Sequence, residues 1–133
     1  MRLSPLERDI QKAIQDAFWV LYRIRLIHVD AGGKGFRKNQ KPGIAGYSGI
    51  PTGFPDLVGV IPPEGRAIYV ECKRPGGKPT LAQSSTLCRL RKDGAIALLA
   101  SSVDMALKQY EDATKQQMPL LRSDLTASND YNL

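Results

Sequence analysis

The residues of this 133-residue chain best suited to chemistry are Asp56, Glu71 and Lys73. Glu71-Cys72-Lys73 closes an apolar run, Ala67-Ile68-Tyr69-Val70, of strand character. Residues two apart in a strand share a face, so Glu71 and Lys73 point together while Val70 and Cys72 point the other way. Asp56 opens the preceding apolar run, residues 56–61, and Pro62-Pro63-Glu64-Gly65 between the two runs is a turn. So short a turn makes an antiparallel hairpin, which brings Asp56 opposite residue 71. The three charged groups should then lie within a few ångströms of each other. Oxygen ligands with room for water suit Mg²⁺ or Mn²⁺, and such an ion between Asp56 and Glu71 would bind a phosphate oxygen. It would polarise the phosphorus and lower the pKa of a bound water, which Lys73 can orient while stabilising the charge of attack. The same residues also read as an ordinary cross-strand salt bridge at a sheet edge, and spacing alone does not choose between the two.

Several elements must hold these groups in place. Ser4-Pro5-Leu6-Glu7 is a helix start, with Ser4 as cap, Pro5 at the first helical position and Glu7 completing a capping box. Leu6, Ile10, Ile14, Phe18 and Leu21 follow at near-helical spacing, so the spacing predicts a helix to Arg23. Residues 25–29 form a first strand. Thr80-Leu81-Ala82-Gln83 is a second capping box, opening a helix to Lys92 that Asp93-Gly94 ends. Cys88 falls on the apolar side of that helix as a small buried hydrophobe. Ala95-Ile96-Ala97-Leu98-Leu99 is a buried strand, and strand, helix, strand in that rhythm is a parallel crossover. Ser101 caps a last helix through Val103, Leu107 and Tyr110. The expected order is α-β-β-β-α-β-α, an α/β fold with a mixed central sheet flanked by helices. It forms one domain over residues 1–112, with a polar tail at 113–133 that is either part of the same domain or loosely held.

Composition narrows the class. Hydrophobic residues make up 42% and charged residues 24%, which excludes a largely disordered or collagen-like chain. No stretch approaches a membrane span and MRLSPLERDI lacks a signal-peptide core, so a cytoplasmic protein without membrane attachment is expected. Two cysteines and one histidine are too few for a disulfide framework, a zinc site or most histidine-based chemistry. No dinucleotide fingerprint is present, so no organic cofactor is expected. A net charge of +6 favours a polyanionic partner such as nucleic acid.

Taken in order, the motifs resemble the PD-(D/E)XK nuclease signature, standing here as Pro55-Asp56 and then Glu71-x-Lys73. More narrowly the chain is similar to the VRR-NUC family of small nuclease domains. The similarity runs through Glu7-x-x-Ile10-Gln11, Gly53-Phe54-Pro55-Asp56-Leu57 and Glu71-Cys72-Lys73-Arg74-Pro75-Gly76-Gly77-Lys78. It continues through Leu81, Gln83 and Leu87, the Gly94 turn and Ser102-Val103-Asp104, most of the chain in all. The resemblance implies a restriction-endonuclease-like αβββαβ core and a metal-dependent phosphodiesterase. Asp56, Glu71 and the backbone carbonyl of Cys72 would be metal ligands and Lys73 the catalytic lysine. Glu7 would be the helix-borne acid that helps bind metal, although its capping box explains it equally, and Gln83 would face the active site unless it serves only as a cap. The chain departs from the family before Asp56, where His28-Val29-Asp30-Ala31-Gly32 replaces an Arg-Asn pair followed by a small residue. That difference bears on substrate choice more than on catalysis.

Around this core, Lys34, Arg37, Lys38 and Lys41, interleaved with Phe36 and Tyr47, form either a DNA-contacting flap or a solvated loop. Arg74 and Lys78 sit where phosphates would approach. The expectation is a Mg²⁺- or Mn²⁺-dependent DNA endonuclease acting as a homodimer, because one chain offers one active site and cutting two strands needs two. Branched DNA such as a four-way junction is the substrate the resemblance suggests. A site-specific, homing-type nuclease and a non-catalytic DNA-binding module are the alternatives.

Overall fold

An amphipathic helix, a hairpin and a crossover build the molecule in chain order. The computed structural model describes residues 3–30 and 49–115. Helix α1 spans Leu3–Tyr22, followed by strand β1, Ile27–His28. Strands β2, Leu57–Ile61, and β3, Arg66–Cys72, form the hairpin, and helix α2, Leu81–Lys92, leads into β4, Ile96–Ala100. A third helix, α3, covers residues 103–115. The sheet has the order β1-β2-β3-β4, antiparallel from β1 to β3 and parallel between β3 and β4. This is the mixed α/β sheet expected from the sequence. No helix among the described residues is long and apolar enough to cross a membrane.

Alternation along the strands assigns the two faces. Leu57, Ile68, Val70 and Cys72 turn to one side and pack with Ile96, Leu98 and Ala100 against Ile14 and Phe18 of α1 and Ala106 and Tyr110 of α3. Each such fully buried aliphatic or aromatic side chain contributes ~1.5–3 kcal/mol. Rings of Phe18 and Tyr110 meet edge-on at 5.3 Å. On the opposite face α2 turns the buried Leu87 inward, Ala97 of β4 is buried, and Phe54 meets Tyr69 edge-on at 5.9 Å. Asp56 and Glu71 belong to this second face.

Local chemistry decides the boundaries. Thr80 caps α2 as expected: its Oγ1 accepts from the Gln83 N–H at 3.1 Å, and Gln83 Oε1 accepts from the Thr80 N–H at 2.9 Å. Helix α1 begins at Leu3, so Ser4 lies inside it rather than capping it, and Pro5 is tolerated because first-turn N–H groups have no acceptor within the helix. Leu6 and Leu21 are exposed, since only the row Ile10, Ile14 and Phe18 meets the sheet. Strand β1 is shorter than expected, two residues long, and the Leu26 carbonyl just before it accepts from Gln15 Nε2 at 2.9 Å. Cys88 is exposed, not buried, because the stripe of α2 that reaches the sheet centres on Leu87. Helix α3 carries on to residue 115, with Ala113 packed on the core, past the expected start of the tail.

Candidate active site

The hairpin register fixes the site. Leu57 pairs with Val70 and Val58 with Tyr69, so the residue before Leu57 meets the residue after Val70. Asp56 and Glu71 are neighbours across the two strands, as the turn at 62–65 predicts. The Asp56 backbone is held from the other side, where its carbonyl accepts from the Val29 N–H at 2.7 Å. Its side chain accepts from the backbone N–H of Cys72 through Oδ2 at 2.9 Å.

Gly53 sets the approach to Asp56. It lies at φ +89°, and a Cβ there would stand 2.7 Å from the carbonyl carbon and oxygen of Ala82. Only glycine combines that conformation with so close a contact. The Gly53-Phe54-Pro55 segment is thereby pressed on the first turn of α2, and Pro55 is fully buried.

Glu71 is the unusual group. It is 1% exposed, the one buried charged side chain among the described residues, and its Oε2 has no hydrogen-bond partner. Burial foremost, then the adjoining Asp56 carboxyl, pushes its pKa up to about 8, with Lys73 pulling the other way. Lys73 follows the end of β3 on the same face as Glu71, its backbone N–H bonded to the Ala100 carbonyl at 3.0 Å. The Cys72 thiol faces the core and burial holds it well above the ordinary thiol range, helped by the charges of Asp56, Glu71 and Glu7. Its side chain is inert, and its backbone carries whatever role it has.

Glu7 stands at the rim. Its charge reaches Cys72, and it lines a groove of about 560 Å³ with Gln11, Gln15, His28 and Asp30. It does not join Asp56 and Glu71 in a cage: among the described residues no three His, Cys, Asp or Glu side chains gather as metal ligands. The sequence reading missed Gln15, although Glu7, Gln11 and Gln15 recur every fourth residue as one polar row beside the apolar row of α1. Gln83 commits its Oε1 to the cap of α2. Arg74 and Lys78 flank a tight turn after β3, closed by the Gly77 N–H on the Arg74 carbonyl at 2.8 Å. Lys34, Arg37, Lys38 and Lys41 lie outside the described residues.

Such a pair of carboxylates suits a small hard cation. The Glu71 oxygen is buried and unpaired, which is costly unless something positive takes it up. Mg²⁺ is commonly held by one or two carboxylates and keeps several waters, so two side chains and a backbone carbonyl fit it without a closed cage.

Comparison with known proteins shows the same fold. One solved structure, described as a VRR-NUC domain, is 24% identical and superposes with a TM-score of 0.55 over 80% of this chain and 95% of its own. A second, a VRR-NUC domain protein, is 19% identical, with a TM-score of 0.54 over 80% of this chain and 86% of its own. Both share the fold. No curated protein matches the sequence. Residues 31–104 match the model of the VRR-NUC domain, a span that contains Asp56, Glu71 and Lys73, and the chain belongs to that nuclease-type family.

Proposed function

We propose that the chain is a Mg²⁺- or Mn²⁺-dependent DNA endonuclease that hydrolyses phosphodiester bonds in branched DNA. What carries the reading is the buried, unpartnered Glu71 Oε2 beside Asp56, with Lys73 on the same face. Asp56, Glu71 and the Cys72 carbonyl would hold the cation, with Glu7 assisting at the rim through water. When bound, the ion offsets charge on the phosphate and acidifies water for attack.

The remaining work falls to the protein. Asp56 commits Oδ2 to the Cys72 N–H, which keeps the carboxyl in one orientation beside Glu71. The Lys73 ammonium donates hydrogen bonds to a non-bridging phosphate oxygen and stabilises the negative charge that grows during attack. Gln83, its Oε1 held in the cap, has its amide Nε2 to donate toward the substrate. Arg74 and Lys78 bind flanking phosphates, and Lys34, Arg37, Lys38 and Lys41 add further DNA contacts. Two copies of the chain, one site each, cut opposing strands as a homodimer in the cytoplasm.

Cleavage of end-labelled four-way junction and matched linear duplex with Mg²⁺, Mn²⁺ or EDTA, beside Lys73→Ala, tests the proposal. Metal-dependent cutting of the junction that the variant lacks is the expected result. Equal cutting of both DNAs would remove branch selectivity, and cutting confined to one sequence would favour a homing-type enzyme. Binding without any cutting would leave only a DNA-binding module.

A further inference from the structure

The chain's positive charge is not spread evenly. Residues 73–92 hold six Lys and Arg side chains and no carboxylate, which equals the entire +6 surplus, so the remainder of the chain is balanced. The stretch leads from the site onto helix α2. It begins at Lys73 and Arg74 beside the carboxylate pair, turns at Lys78 and continues along α2. Helix α2 starts against Gly53, next to the site, and ends beside Arg66, whose Nε donates to the Gly94 carbonyl at 2.8 Å. It therefore runs back along β3, away from the carboxylates.

The outer side of α2 has groups that suit a phosphate backbone. Ser84, Ser85, Cys88, Arg89 and Lys92 line one shallow depression of about 410 Å³. Arg91 differs, since its Nε is bonded to the Ala97 carbonyl at 2.9 Å and it braces the helix on the sheet. Arg89 meets Asp93 at 3.6 Å, but both are well exposed, and such a pair exchanges readily for a phosphate. Twelve helical residues span ~18 Å, roughly five phosphate steps along one DNA strand at ~3.4 Å each.

We infer that the outer face of α2, through Arg89 and Lys92 with the serine hydroxyls, binds the sugar-phosphate backbone of a duplex DNA arm leading away from the Asp56–Glu71 site. The inference rests on the nuclease reading for its direction and deepens it by fixing where the uncut arm lies. Contact of this kind is independent of base sequence and sensitive to salt.

Cys88 supplies a probe that does not depend on cleavage. It is exposed in the middle of the surface, whereas Cys72 is buried and serves as the internal control. Duplex DNA in EDTA should slow alkylation of Cys88 by N-ethylmaleimide several-fold, with the rate recovering as salt is raised. Arg89→Gln with Lys92→Gln should weaken duplex binding and flatten the log–log salt dependence by about 1–2 units. Lys108→Gln with Lys115→Gln, an equal loss of charge on α3, should leave that slope unchanged. Bound DNA with Cys88 reacting at its free rate, or slopes that fall equally in both double variants, would overturn the surface while the cleavage assay above still stands. Protection of Cys88 with no metal-dependent cutting would uphold the surface and overturn the nuclease reading. No duplex binding at low salt would overturn both.

Discussion

Asp56 and Cys72 are tied across the hairpin by one bond, the Cys72 N–H donating to Asp56 Oδ2 at 2.9 Å. Strand β2 begins one residue later, at Leu57, so the side chain takes over where the backbone ladder stops. Two kinds of substitution separate its roles. Asp56→Asn keeps an oxygen for the Cys72 N–H and should melt close to the parent, but with cleavage lost. Asp56→Ala removes the acceptor as well and should cost about 1.5–3 kcal/mol, the range for a hydrogen bond to a charged group. Thermal melts beside the cleavage assay decide the matter. Equal melting of the two variants would mean that the bond does not support the hairpin.

Glu71 makes stability depend on pH in an unusual direction. With its folded pKa pushed up to about 8 by burial and then by Asp56, the folded state keeps a proton that the unfolded chain releases near the ordinary value of 4.5. Between those values the unfolded state binds fewer protons, so stability falls as pH rises. In EDTA the melting temperature should drop from about pH 5 to about pH 8 and then level off. Glu71→Gln should flatten that slope, melt higher than the parent at the alkaline end and have no activity. A parent slope of the opposite sign would show that Glu71 is ionised in the metal-free fold.

The same proton should register when the cation binds. A ligating carboxylate must be ionised, so if Glu71 holds the proposed cation, Mg²⁺ or Mn²⁺ should displace its proton near neutral pH. Calorimetric titration in buffers of different ionisation enthalpy should find up to one proton released per ion, and none in Glu71→Gln. Binding at equal strength in parent and variant with no proton released would remove Glu71 from the ligand set.

Much of this arrangement was legible in the chain because short-range chemistry determines it. A four-residue turn sets the hairpin register, and the register puts Asp56 against Glu71. Thr80 and Gln83 announce the start of α2 by their types and spacing. What the chain concealed depends on long-range packing. Leu6 and Leu21 fit the helical repeat as well as Ile14 does, and only the position of the sheet decides which of them is covered. Helix α2 has few apolar residues, so its sequence leaves the inward stripe ambiguous, and Cys88 proves exposed. The groove at Glu7 joins a helix face to a distant strand end at His28, a meeting that no local pattern encodes.

Two glycines in left-handed conformations separate strain from collision. Gly53 at φ +89° has the Ala82 backbone 2.7 Å from where a Cβ would stand, whereas Gly65 at φ +85° has nothing within 4 Å. Gly65→Ala should cost only the conformational penalty of about 1–2 kcal/mol. Gly53→Ala adds a clash with backbone, which cannot rotate away, and should cost more. Because the displaced segment leads into Asp56, cleavage should fall further than the loss of stability accounts for. Denaturant unfolding of both variants with cleavage rates measured well below the transition tests this, and equal costs would mean that the loop yields freely.

Among the described residues strand β4 is an edge, and the Gln109 amide seals its middle. Gln109 Nε2 donates to the Leu99 carbonyl at 2.7 Å, and its Oε1 accepts from the Leu99 N–H at 3.1 Å, as a neighbouring strand would. Arg91 takes the Ala97 carbonyl of the same strand. Unpaired groups on an edge template the addition of another chain. Gln109→Ala should therefore lose about 1–2 kcal/mol from two unmade bonds at a partly buried position. It should also associate with rising concentration through this edge, more than the parent does. Gln109→Glu is the sharper variant, since a carboxylate accepts from the Leu99 N–H but repels the carbonyl, and it should be destabilised with less tendency to associate. Melts and sedimentation across a concentration series read both effects, and an alanine variant that melts and sediments like the parent would show that solvent serves the edge equally well.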